Sequence, residues 1–212
     1  MLRLLPAASP GCIGLAAALL AISLTTPAPT SPAPPPAGDL CVIAPQIQAD
    51  ADGRATALVP LERPTLFVRA PLAEIRLERN GRLLWKQEGD GAGATPLEGP
   101  IAWPLAPLQP GEQLMLLLRP EGNPTDSFAT IQLQAADSAR LHASRNLLRS
   151  LEDDRVAWSR TIQRELARAD PSLGVALLFA FEGPSEPALD GLRRAVAQQS
   201  CNSRPNPTAA GP

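Results

Sequence analysis

The chain has 212 residues, a formal net charge of -2 and a sequence pI near 5.5, which excludes the basic footprint of a nucleic-acid binder. Hydrophobic residues make up 44%, so wholesale disorder is excluded as well. Aromatics are only 3% and Tyr is absent, so any core must be built mostly from Leu, Val, Ile and Ala.

From the N-terminus, Met1-Leu2-Arg3 is weakly positive and the run IGLAAALLAISL, Ile13 to Leu24, is apolar. It is shorter than the roughly 20 residues that span a bilayer and has the length of a signal-peptide core. Residues 1–24 therefore read as a cleaved signal or as a retained anchor. Either places the remainder outside the cytoplasmic membrane, periplasmic or extracellular. Cys12 precedes the run and forms no lipobox. Residues 25–38, TTPAPTSPAPPPAG, are a Pro-rich spacer that favours extended polyproline II and cannot join a core. Beyond it stand two cysteines, Cys41 and Cys201. An even pair in an exported chain reads as a disulfide, with two free thiols as the alternative.

Residues 39–135 read as β. Strands are expected at 41–47, 55–59, 65–69, 73–78, 82–87, 100–103, 113–119 and 127–134. Turn residues separate them, among them Asp52-Gly53, Asn80-Gly81 and Gln109-Pro110-Gly111. The stretch LERNGRLLWKQ, Leu77 to Gln87, carries the clearest hairpin signal. A two-residue loop would set Leu77 opposite Leu84 and Ile75 opposite Lys86. A three-residue loop, with Gly81 left-handed, sets Leu77 opposite Leu83 and Ile75 opposite Trp85. The second gathers four apolar residues on one face and Glu74, Arg76 and Glu78 on the other, so the pattern selects it.

From Ala135 the period turns helical. Asp137 or Ser138 caps a helix to about Leu151, with Leu141, Leu148 and Leu151 on one face. A second helix follows Asp153 or Asp154. It carries an apolar stripe of Trp158, Ile162, Leu166 and Ala169, and on another face Arg160, Arg164 and Arg168. The run SLGVALLFAF alternates like a strand, but the Asp170-Pro171 start and the Gly183 stop favour a helix. Ser185 opens a last helix to about Gln199. The fold class expected is two-part α+β: an Ig-like antiparallel β-sandwich over 39–135, a small helical region of αα-hairpins over 136–200, and a disordered tail over 201–212.

The segments ERPTLFVRAP, AEIRLERNGRLLWKQ and GPIAWPLAPLQPGEQLMLLLRP resemble a family of exported proteins of unknown function found mainly in cyanobacteria. ALLFAFEGPSEPALDGLRRAV is similar to that family's helical hairpin. The resemblance covers about residues 42–199 and is firmest over 62–119. LQPGEQLMLLL also resembles the corner that enters a late strand of fibronectin-type sandwiches. An Ig-like sandwich is what these resemblances imply, with no catalytic residues.

The candidates for chemistry each have a plainer explanation. His142, the one histidine, lies in LHASRNLL within a helix, and no G-x-S-x-G elbow accompanies it. Asp50-Ala51-Asp52-Gly53 lacks the later ligands of a calcium loop. Glu152-Asp153-Asp154 suits a helix N-terminus. Gly-rich EGDGAGA lacks the Lys and following helix of a phosphate loop. No catalytic residue, metal site or cofactor is expected. The function expected is a non-catalytic extracytoplasmic protein-binding or scaffolding module. Its partner would be an envelope protein, docked on the helix bearing Trp158, Arg160, Arg164 and Arg168. Nucleic acid is not a partner, and the membrane is one only through an uncut anchor. The second reading is a small-ligand or glycan-binding module with Trp103 as the platform and the loops over 88–100 around it.

Overall fold

The computed structural model describes residues 40–89, 97–180 and 183–202. The signal or anchor segment and the Pro-rich spacer lie outside the described residues, as do 90–96 of the Gly-rich loop and 203–212 of the tail. The β region contains β1 (Val42–Ala44), β2 (Gln48–Ala49), β3 (Ala55–Val59), β4 (Leu66–Arg79), β5 (Arg82–Glu88), β6 (Leu97–Ile101), β7 (Gln113–Pro120) and β8 (Ala129–Ala135). The helices are α1 (Ser138–Leu151), α2 (Arg155–Leu166), α3 (Ser172–Leu178) and α4 (Pro187–Asn202). The chain is thus mixed α+β, with strands first and helices second.

The strands join in one curled sheet, a half-barrel with the path β1-β4-β7-β8-β3-β2, and β5 and β6 also pair with β4. Two separate facing sheets, as a sandwich requires, are not what the hydrogen bonds describe. The pairing is not wholly antiparallel either. β3 runs parallel to β8, Thr56 opposite Gln132, and the connection carrying β4 to β7 supplies the long crossover such a pair needs.

β4 is the spine. Its 14 residues merge the strands expected at 65–69 and 73–78, with Pro71 between them. Pro71 survives because β4 changes partners there. Leu66 and Val68 face β6, with Val68 also facing β1, while Leu72 to Glu78 face β7 and Glu74 to Arg79 face β5. No N–H is demanded of the proline at the handover, and its carbonyl accepts from the Glu121 N–H at 2.9 Å.

The hairpin register differs from both expected ones. Asn80 and Gly81, at φ 51° and 74°, form a two-residue loop that sets Arg79 opposite Arg82. The pairing then shifts between Leu77 and Glu78, so that Leu83 faces Glu78 while Trp85 faces Leu77. Leu84 is the extra residue of this bulge, which slips the two-residue register by one in the direction opposite to a three-residue loop and so leaves Trp85 on the same side as that loop would. Trp85 packs against the core as expected, whereas Leu83 is 46% exposed.

The inner face of the sheet buries Leu66, Val68, Leu72, Ile75 and Leu77 of β4 against Leu114, Leu116, Leu118, Ile131 and Leu133. Each such side chain contributes about 1.5–3 kcal/mol. A second core lies between the helices and the outward face of β1. Val42 points into the first core, while Cys41 and Ile43 join Trp158, Ile162, Val175, Leu177, Leu178 and Leu189 in the second. β1 is therefore buried on both sides.

The helix ends follow local rules. The Asp137 carboxylate accepts from the Arg140 N–H at 2.8 Å, and Asp154 accepts from the N–H groups of Val156 and Ala157 at 3.0 Å each. The run over 172–178 is helical, as the Asp-Pro start indicated, although the helix begins one residue later. Asp170 accepts from the Ser172 N–H at 3.0 Å and pairs with Arg140 at 2.6 Å, which ties α3 to α1. These bonds, the Ser172 N–H first, hold its carboxyl below the usual aspartate range. α4 starts at Pro187 instead of Ser185 and continues to Asn202, so Cys201 belongs to a helix and not to the tail.

Candidate functional site

α2 turns Trp158, Thr161, Ile162 and Glu165 inward and its arginines outward. Trp158 is 5% exposed and its indole N–H donates to the Glu152 carbonyl at 2.9 Å. It is a core residue, which corrects its place in the expected docking face. Ala169 is exposed, because the helix ends at Leu166 before the stripe reaches it.

Arg160, Arg164 and Arg168 are all exposed, as the helical spacing indicated. They are not equivalent. The Glu165 carboxylate, only 4% exposed, accepts an ion pair from Arg164 Nε at 3.3 Å and another from Arg168 Nε at 3.0 Å. One buried acid thus steadies two surface guanidinium groups and offsets one charge. Arg160 makes no ion pair among the described residues. Val156, 57% exposed, lies beside Arg160 toward the helix start, whereas Arg155 projects from a different side of the helix. Exposed acids, Glu152, Asp153 and Asp154, stand at the start of the same helix, so the cationic stretch is confined to Arg160, Arg164 and Arg168.

Trp103 is 8% exposed, packs in the first core, and donates its indole N–H to the Ala106 carbonyl at 3.0 Å. A sugar platform needs an open ring face, which Trp103 lacks, so Trp103 is a core residue and not a platform. Most of the loop assigned to the same ligand falls in 90–96, outside the described residues.

Cys41 and Cys201 stand at bonding distance, with sulfurs 2.05 Å and Cα atoms 5.6 Å apart. The pair ties the start of the β region to the last turn of α4.

The remaining chemical candidates resolve into structural contacts. His142 is exposed on α1, its Nδ1 3.3 Å from the Asn146 amide nitrogen. It borders a cleft of about 630 Å³ that includes Glu62, Gln109 and Arg145, and Glu62 is bonded to Arg145. Asp50 accepts from the N–H groups of Asp52 and Arg54 at 2.9 and 2.8 Å and from the Arg54 side chain, which spends its oxygens on the turn. The Arg54 N–H is the main reason its carboxyl lies below the usual range. Among the described residues no group of three or more His, Cys, Asp or Glu is placed to hold a metal ion. None of their helices is long and apolar enough to cross a membrane.

One cluster escaped sequence reasoning. Glu74 is 3% exposed and sits between Arg76 Nε at 2.6 Å and Arg119 Nη2 at 3.0 Å, with the Arg76 guanidinium 4.4 Å from the centre of the Phe128 ring. Alternation had put Glu74 and Arg76 on one face. Only the β4–β7 register, which pairs Glu74 with Arg119, supplies the third member. The Arg76 hydrogen bond, seconded by Arg119, outweighs burial and holds the Glu74 carboxyl below the ordinary glutamate range. Its oxygens are fully engaged, so the cluster is a structural clamp.

No family model, curated protein or solved structure matches the chain.

Proposed function

We propose that the chain is an exported, non-catalytic binding or scaffolding module that docks an acidic envelope protein on α2. The observation that carries this is that Arg160, Arg164 and Arg168 are all exposed while the helix's one acid, Glu165, is buried. Charge complementarity of this kind raises association rates and sets partner choice more than it adds raw affinity. A non-catalytic role is supported by the engagement of Glu74, Glu165, Asp170 and Glu62 in ion pairs with arginines. Export is supported by the apolar run over 13–24 and by two cysteines at bonding distance, which suit an oxidising compartment. The resemblance to exported proteins agrees with it, and an Ig-like description of the β region is the finer fold we propose.

The test uses Arg160→Glu, which breaks no ion pair among the described residues, and the double variant Arg160→Glu with Arg164→Glu, which also frees Glu165 of one partner. Crosslinking in the native envelope should lose a partner in the double variant, and the wild-type contact should weaken as salt rises. Unchanged crosslinks in the variant would reject α2 as the surface. Intact-mass analysis of the mature chain reads the site of cleavage, or its absence.

A further inference from the structure

A second concave site lies where β4 and β6 meet α4. Phe67 and Val68 of β4, Gly99 of β6, Phe179 after α3, and Ala197 of α4 enclose a half-open cleft of about 310 Å³. Its floor is apolar. The Phe67 and Phe179 rings meet with centroids 4.7 Å apart, and Val68 and Ala197 are buried beside them. Its rim is cationic and carries Arg69, Arg193 and Arg194.

The three arginines differ in what they have left to offer. Arg193 donates to the carbonyls of Leu178 and Pro184 at 2.7 and 3.1 Å and pairs with Asp190 at 2.7 Å. It is committed to holding α4 against the end of α3. Arg69 and Arg194 are exposed and make no ion pair among the described residues. Two uncommitted guanidinium groups above an apolar floor match a ligand with an anionic head and a hydrocarbon body. The volume sits at the low end of small-molecule sites, about 300–1,000 Å³, which favours one short chain over a two-chain lipid.

We infer that this cleft binds a free single-chain alkyl carboxylate, with the chain against Phe67 and Phe179 and the carboxylate between Arg69 and Arg194. The inference is independent of the α2 surface. Its test titrates the intact chain with decanoate by calorimetry, beside decanol and decyltrimethylammonium, which share the chain but not the negative charge. Anionic phosphatidylglycerol vesicles form a separate arm. Saturable one-to-one binding of decanoate is expected, tighter than that of either control. Arg69→Glu with Arg194→Glu should weaken it by about tenfold, the order set by losing charge-assisted contacts at a half-open site. Gln198→Trp, on the exposed mouth of α4, should obstruct the cleft without touching the arginines, and unfolding curves confirm that each variant is folded. Binding of the vesicles alone, equal binding of the cationic amphiphile, or decanoate binding unmoved by folded variants of both kinds would overturn the inference.

Discussion

Gly174 offers a test in which two physical effects oppose each other. In the interior of a helix, replacing Gly with Ala normally stabilises by about 0.5–1 kcal/mol, because the unfolded chain loses freedom and the helix gains propensity. At position 174 a Cβ would lie 2.6 Å from the Leu166 backbone nitrogen, 2.9 Å from the Glu165 carbonyl carbon and 2.9 Å from Leu166 Cγ. Two of these three atoms are backbone, so no side-chain rotation relieves the overlap and α2 must move away from α3. Overpacking of this kind costs about 1–3 kcal/mol, and the backbone contacts argue for the upper end. Net of the helix gain, Gly174→Ala should destabilise by about 2 kcal/mol. Gly191, in α4, is the matched control, since a Cβ there meets nothing within 4 Å. Gly191→Ala should stabilise by about 0.5–1 kcal/mol. Urea denaturation of the two variants reads both signs. If they shift stability in the same direction, the close approach of α2 and α3 is refuted. A lowered melting temperature for Gly174→Ala, by about 2–4 °C per kcal/mol, should accompany the loss.

Cys41→Ser with Cys201→Ser should cost about 2–5 kcal/mol. The chain-entropy model places a loop of 160 residues near the top of that range. Non-reducing denaturation measures the cost, and a variant as stable as the wild type would show that the sulfurs are not joined. Glu74→Gln leaves Arg76 and Arg119 facing a neutral amide and should cost about 2–3 kcal/mol at neutral pH, below the figure for a fully buried pair because both arginines keep some water. The acid limb carries a further sign. The folded carboxyl is held below its ordinary value of 4.5, so its stabilisation is complete above that pH and is lost as pH falls through the lower folded value. Stability measured against pH should therefore fall less steeply below 4.5 in Glu74→Gln than in the wild type.

Local chemistry was legible wherever a single residue and its near neighbours decide the outcome. Asp137 and Asp154 announce helix starts because a carboxylate at that position accepts the otherwise unpaired N–H groups of the first turn. Asn80-Gly81 announces a tight turn because both residues tolerate positive φ. The arginine spacing on α2 shows which side chains share a face.

What the residues could not state is anything that depends on a partner distant in the chain. The Leu84 bulge moves Trp85 opposite Leu77, and no pattern within the hairpin distinguishes that from a three-residue loop. Pro71 stays inside β4 because the strand exchanges neighbours there, a fact about β1, β5, β6 and β7 together. Trp103 was open to a platform or a core place and Trp158 to a docking face or an apolar stripe, and enclosure by distant segments put both inside. The rim of the apolar cleft joins Arg69 to Arg194 from opposite ends of the described chain. The sequence by itself determined the composition of the cores, the caps, the turns and the order of strands before helices, because these rest on interactions within a few residues. Tertiary structure alone decided register, the parallel β3–β8 pair, the burial of the tryptophans and the existence of the cleft, because each is a contact between segments whose meeting depends on the whole fold.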